Sequence, residues 1–423
     1  MKNGVTVIAL AVAMSAAAAL PVHGAASFAE FDARAKAGER LTVAYFGCSL
    51  MWSANATEPN LTGFRGQMSH YLESKYPNAH FRFVDAAIGG TGAMLGVFRL
   101  DRDVLSKKPN LVFMDFVCND GWDAKALATT CCYESLLRRI IGSGVPVVQT
   151  FFTFREWARR IAVDGEPEET VHKRIAPYRQ LVGAYSTGVG DVYRDSPLLS
   201  DLKGGKVSLE EVWPIDGGHP CDLGYRYFAD AGIRGFERAV AGGLVCCVPE
   251  KPVFGTVANV SRRDAETLNC GEGWHRALTY RTSLWYDGLS SRWMDGILAF
   301  SGNVRSPLSL KAKGNLFAVF GEADEKALTA EVLCNGKKIA DFNAYHKAGK
   351  GRLFFWRDAL ADGWERGDGV EHDWMLDPVP DGVGEFRVGA ICTATVVPSC
   401  ELKGDAATDF DIDKIDHGRG QKE

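Results

Sequence analysis

The sequence predicts two units: an N-terminal α/β domain of three layers, with a mostly parallel five-stranded sheet between helices, and a C-terminal antiparallel β-sandwich. Three observations carry this. From residue 41 to 241, apolar runs of strand length alternate with segments of helical periodicity, the pattern of strands buried on both faces and joined by crossover helices. From about residue 250 the helical period fades into short strand-like runs between glycine and aspartate turns. The 423 residues, 46% hydrophobic and 24% charged, are enough for two cores and have the composition of a soluble globular protein.

Taken in order, Lys2, the apolar run Val5 to Leu20, Pro21 and the small-residue site Val22-His23-Gly24-Ala25 read as an export signal cleaved near Gly24, with a buried N-terminal helix as the alternative. The run is short for a membrane span, and no other stretch approaches the ~20 apolar residues a spanning helix needs, so a secreted or periplasmic protein without stable membrane insertion is expected. No cysteine lies beside the cleavage site, which argues against a lipid anchor. The expected boundaries are 1–24 for the signal peptide, 27–247 for the α/β domain, 250–400 for the sandwich and 401–423 for a polar, disordered tail.

Five strands are predicted at Leu41–Phe46, Phe81–Ala86, Leu111–Val117, Val145–Thr150 and Val189–Tyr193. Helices fall between and after them at Gly63–Lys75, Leu95–Ser106, Ala124–Ile141, Glu168–Ala184 and Asp222–Ala241. In such a sheet ligands bind beyond the carboxyl ends of the strands, so the residues just after each strand are the candidates for chemistry.

After the first strand comes Gly47-Cys48-Ser49-Leu50-Met51-Trp52. A serine at a sharp strand-to-helix turn can expose its hydroxyl beside backbone N–H groups; alone, it is more often a helix N-cap. Met51 stands where a Gly-x-Ser-x-Gly elbow would have its second glycine. After the second strand, Gly89-Gly90-Thr91-Gly92 allows close backbone approach and can aim an N–H at a developing oxyanion, or can be simply a turn. After the third, the Asn119 amide of Asn119-Asp120 could donate to the same oxyanion or form an Asx-type turn. After the fifth, Asp216-Gly217-Gly218-His219 puts a carboxylate within reach of an imidazole, fixing the tautomer that leaves the other ring nitrogen as a base. Trp52 and Trp122, each three residues beyond Ser49 or Asn119, wall the pocket or pack the core. Arg155, Glu156 and Trp157, after the fourth strand, are rim candidates.

Serine, glycine, asparagine and Asp-x-x-His, in that order after four strands, resemble the SGNH (GDSL-like) hydrolase superfamily, and within it the GDSL-like esterases acting on acylated carbohydrates and lipids. The resemblance covers about residues 40 to 245 and implies a flavodoxin-like α/β/α fold. It implies Ser49 as nucleophile, Asp216 and His219 as its partners, and an oxyanion hole of Ser49, Gly90 (or Gly89 in the other register) and Asn119. One position departs: Cys48 stands where the family commonly has aspartate, a position outside the catalytic set.

A net charge of -5 and a pI near 6.0 provide no basic stripe, so nucleic acid is not an expected partner. No Walker-type glycine loop or zinc-type cysteine pair occurs, and no cofactor or metal is expected. The eleven cysteines are an odd number; Cys48 and Cys118 could bridge, or be two small buried hydrophobes. Six of the ten tryptophans (Trp274, Trp285, Trp293, Trp356, Trp364, Trp374) lie in the C-terminal unit, where they form either a carbohydrate-binding face or core. The leading expectation is a secreted serine esterase on an acylated carbohydrate or other small ester. A lipid esterase, lysophospholipase or thioesterase on the same machinery, and a carbohydrate-binding protein with an inactive hydrolase domain, are the alternatives.

Overall fold

A computed structural model describes residues 25–120, 126–171, 175–280, 292–345, 351–357 and 370–399, with backbone alone at 126–128 and 351–357. The expected signal peptide and tail, and with them Trp122, Trp285 and Trp364, lie outside these residues.

The first sheet contains β1 (Arg40–Gly47), β2 (His80–Ala87), β3 (Leu111–Asp115), β4 (Val147–Phe151) and β5 (Gly188–Asp191), all parallel, in the order β2-β1-β3-β4-β5. This is the flavodoxin-like order. Register sets where the chemistry can go: Gly47 pairs with Ala87 on one side and Asp115 on the other, so three strands end at one level and their following loops converge. Gly47 is glycine of necessity, because a Cβ there would lie 2.4 Å from the Asp115 carbonyl oxygen and 2.8 Å from Met51 Cβ.

Local chemistry moved several expected boundaries. The third strand stops at Asp115, whose carboxylate accepts from Val117 N–H as the chain turns. The fifth stops at Asp191, whose side chain caps a helical turn, Val192–Asp195. Within the helix expected over Glu168–Ala184, the described residues Glu168–Val171 and Ile175–Tyr185 are helical.

The second unit holds β6 (Gly255–Asp264), β7 (Trp274–Ala277), β8 (Ile297–Phe300), β9 (Leu308–Lys313), β10 (Leu316–Ala323), β11 (Thr329–Cys334), β12 (Lys337–Asn343), β13 (Gly351–Arg357), β14 (Glu371–Pro378) and β15 (Phe386–Pro398). One sheet runs β13-β10-β15-β8-β7 with β6 also on β15; the other runs β12-β11-β14-β9, and both are antiparallel. They pack face to face, with Phe317 stacked 5.2 Å from Trp374 and Phe342 5.4 Å from Phe386. Trp274, Trp293 and Trp374 are buried, so these three serve the core and not a surface platform.

Strand alternation gives the larger sheet a second apolar face, and this face joins the core of the α/β unit: Ala318, Phe320, Ala390, Cys392 and Trp293 belong to the same apolar cluster as Leu136 and Val97. The seam is also polar and satisfied. Glu134, fully buried, accepts from the N–H groups of Val253 (2.6 Å), Phe254 (2.7 Å) and Gly255 (3.0 Å) and from the Tyr185 hydroxyl (2.5 Å). Cys48 and Cys118 are buried thiols and are not bridged to each other.

Candidate active site

Ser49 opens a four-residue helix, Ser49–Trp52, directly after β1, with Cys48 at the N-cap in extended conformation. Its hydroxyl oxygen lies 2.8 Å from His219 Nε2, and His219 Nδ1 lies 3.1 Å from Asp216 Oδ2. With Nδ1–H donating to the carboxylate, Nε2 presents its lone pair to the serine hydroxyl. Ser49 is buried, while the side chains of His219 and Asp216 retain 27% and 16% exposure, enough for a substrate to reach the relay.

The Asp-Gly-Gly-His loop shapes itself. Asp216 Oδ1 accepts from the N–H groups of Gly218 and His219, each at 2.7 Å, an Asx-type turn that frees Oδ2 for the imidazole. Outside the loop, Arg155 N–H holds the Gly217 carbonyl at 2.9 Å. Burial acts to raise the Asp216 pKa, but the hydrogen bonds and charge of His219, its N–H and the Asn55 amide outweigh it and hold the carboxyl well below the usual carboxylate range. It therefore stays ionised beside the His219 ring.

The spacing of the sequence does not reveal Asn55. Its Nδ2 donates to Asp216 Oδ2 at 2.8 Å and to the His219 carbonyl at 3.2 Å, tying the loop after the serine to the histidine loop. It sits at φ 67°, a left-handed conformation that asparagine tolerates better than most residues. Its signal in the sequence is slight: an asparagine shortly after a candidate nucleophile, whose partners lie 161 and 164 positions away.

The candidate oxyanion donors lie in the loops after β2 and β3, at the same edge of the sheet. Gly90, exposed, adopts φ 70° in the loop after β2. Asn119 Nδ2 donates to the Thr91 carbonyl at 3.1 Å, and an amide nitrogen carries a second N–H that this bond does not use. Asp120 fixes the spacing of the two loops, accepting from Ala93 N–H at 2.7 Å and from the Tyr178 hydroxyl at 3.1 Å. It thereby caps the helix Ala93–Asp103, whose N-cap Gly92 has no side chain and no room for one: a Cβ would lie 2.5 Å from Asp120 Oδ1.

Cys48 acquires a physical role. Its thiol donates to Asp115 Oδ2 at 3.3 Å, and both groups are fully buried. Burial pushes the Asp115 carboxyl up to about 7 and the Cys48 thiol well above its ordinary value, so Cys48 stays a protonated thiol, a hydrogen-bond donor in the turn before Ser49.

Of the two tryptophan candidates, Trp122 lies outside the described residues. Trp52 lines a hollow of about 1140 Å³ with Tyr45, Arg65, Tyr71, Phe83 and Asp85, whose walls do not include Ser49, Asp216 or His219. The Arg65 guanidinium lies 5.9 Å from its ring centroid and donates to its carbonyl. Trp157 is buried against Phe154 and Glu156 pairs with Arg159, while Arg155 pairs with Glu210 beside the histidine loop. Among the described residues no group of three or more histidine, cysteine or acidic side chains is placed to hold a metal ion, and no helix is long and apolar enough to cross a membrane.

The sequence matches no protein-family model and no curated protein. The fold does have solved counterparts. A two-domain esterase active on acetylated mannans, co-crystallised with mannopentaose, matches with a TM-score of 0.66 and 18% identity over 86% of this chain and 94% of that one. A second structure of a two-domain esterase active on acetylated mannans gives a TM-score of 0.64 with the same identity and coverage. An acetyl xylan esterase, AlAXEase, matches 46% of this chain and 98% of its own at 20% identity, with a TM-score of 0.38. The likeness to the two-domain esterase spans both units, and the chain accordingly shares that fold: an α/β unit built on a parallel five-stranded sheet, extended by a C-terminal β-sandwich.

Proposed function

We propose that the protein is an exported carboxylic ester hydrolase that removes acetyl or similar acyl groups from carbohydrate through an acyl-serine intermediate. The observation that carries this reading is the continuous relay Ser49–His219–Asp216, with contacts of 2.8 and 3.1 Å. The carbohydrate half is supported by the fold shared across both units with an esterase active on acetylated mannans. Export is supported by the apolar N-terminal run and the small-residue site that follows it.

In the reaction so read, His219 Nε2 takes the Ser49 proton as the hydroxyl oxygen attacks the ester carbonyl, and Asp216 stabilises the imidazolium. The oxyanion is held by the N–H groups of Ser49 and Gly90 and by the Asn119 amide. His219 returns its proton to the departing sugar oxygen. It then draws a proton from water, which attacks the acyl-serine and releases acetate and free Ser49.

A fluorophosphonate probe should label Ser49, and Ser49→Ala and His219→Ala should each abolish labelling and acetate release from acetylated mannan or xylan. Preference for long-chain esters or thioesters over acetylated glycan would move the substrate to the lipid class. Absence of labelling, with retained glycan binding, would leave a binding protein.

A further inference from the structure

The loop carrying Gly90 is held by two arginines, one from each unit. Arg99, in the helix Ala93–Asp103, is fully buried: its guanidinium lies 4.6 Å from the Phe46 ring centroid and donates to the carbonyls of Ala86 and Gly47, the latter at 2.8 Å. Arg292, from the segment leading into β8, arrives from the sandwich side. Its Nη2 donates to the Ala87 carbonyl at 2.9 Å and to Asp85 Oδ2 at 2.8 Å. Beyond it, the Thr91 hydroxyl donates to the Ile88 carbonyl at 2.7 Å and Asn119 holds the Thr91 carbonyl. Fixed carbonyls therefore flank Gly89 and Gly90 on both sides.

This matters because glycines are soft. An oxyanion donor acts only within about 2.7–3.1 Å of the oxygen it stabilises, so a glycine loop needs support from outside itself. A guanidinium bound to a carbonyl and a carboxylate at once is a strong, directional support. The segment bearing Arg292 is separately secured by Arg102, which donates to the Arg292 carbonyl at 3.1 Å; the neighbouring pair of Arg102 with Asp295, whose side chain is exposed, is a solvent-screened contact that adds little to this hold.

We propose that Arg292 is a positioning residue for the Gly90 oxyanion loop, through which the β-sandwich unit sets the turnover of the α/β unit. This rests on the acyl-serine reading above. It makes the sandwich part of the catalytic apparatus, whatever glycan it also contacts.

The test uses the full chain and four proteins: wild type, Arg292→Gln, Arg292→Lys and Asp295→Asn. Arg292→Gln should lower kcat on p-nitrophenyl acetate by about 10- to 100-fold, the range expected when a group at the reaction centre is displaced by up to an ångström. KM should stay within about threefold, and the rate of fluorophosphonate labelling should fall in parallel with kcat. Arg292→Lys, which can reach one partner, should recover part of the loss. Asp295→Asn weakens the same seam without touching the loop and should leave kcat within about twofold. Active-site titration counts folded molecules, so a poorly folding glutamine variant leaves the lysine variant decisive. An Arg292→Gln or Arg292→Lys enzyme with wild-type kcat, or an equal loss in Asp295→Asn, overturns the positioning role. A wild type that no probe labels removes the acyl-serine reading and this inference with it.

Discussion

Asn55→Ala should lower kcat/KM by about 10- to 100-fold while leaving the fold intact. The wild-type Nδ2 donates to Asp216 Oδ2, the same oxygen that faces His219 Nδ1, and also to the His219 carbonyl. A hydrogen bond to a charged group is worth ~1.5–3 kcal/mol, and at ~1.4 kcal/mol per tenfold this gives the stated range if the loss falls on the orientation of the imidazole. A second effect falls on stability: alanine at φ 67° costs ~1–2 kcal/mol that asparagine and glycine largely avoid. Asn55→Gly separates the two, since it removes the amide and keeps the backbone. The assay is kcat/KM for p-nitrophenyl acetate across pH, beside thermal denaturation of each variant. The sign of the pH effect is fixed: Asp216 is held below its unfolded value, so its stabilising contribution is present above about pH 4 and is lost as pH falls towards its folded value. Losing the Asn55 donor raises the folded value and should move acid inactivation to higher pH. If Asn55→Gly keeps full kcat/KM and an unmoved acid limb, the amide does not position the relay and the reasoning fails.

Three further outcomes are expected. Asn119→Ala should reduce kcat by about 10²–10³ with a small change in KM, because the lost amide acts on the oxyanion and its Thr91 contact anchors the neighbouring loop; single-turnover rates measure this. Asp115 has its pKa raised to about 7 by burial, so folding stability should fall as pH rises from about 4 to about 7, by on the order of 4 kcal/mol in all, and Asp115→Asn should flatten that slope in urea titrations. Cys48→Asp, which introduces the residue common in the family the sequence resembles, sets a second carboxyl against Asp115 and should cost about 1–3 kcal/mol near neutral pH; the double variant with Asp115→Asn should recover most of it by thermal melting.

What the sequence by itself determined is what local pattern encodes. Apolar runs such as Leu41–Phe46 and Leu111–Val117 could be buried only in a sheet covered on both faces, and in a parallel sheet the loops after the strands share one edge. Ser49, Gly90, Asn119 and the Asp216/His219 pair were legible as a set for that reason, although each alone was ambiguous. The tertiary structure decided everything that depends on a partner distant along the chain. The register that levels Gly47 with Ala87 and Asp115, the thiol–carboxyl contact of Cys48, and the reach of Asn55 to Asp216 each join segments 40 to 161 residues apart. The use of tryptophan was undecided for the same reason: Trp274 and Trp374 have the same short-range surroundings in a core strand as on a binding face, and packing of one sheet on another buried them, whereas Trp293, in the turn before β8, is buried in the core shared with the α/β unit. Arg292 shows the limit most clearly. In sequence it is one arginine after two serines; in the fold it pairs with a carboxylate 207 positions away and donates to the Ala87 carbonyl just ahead of the Gly90 loop.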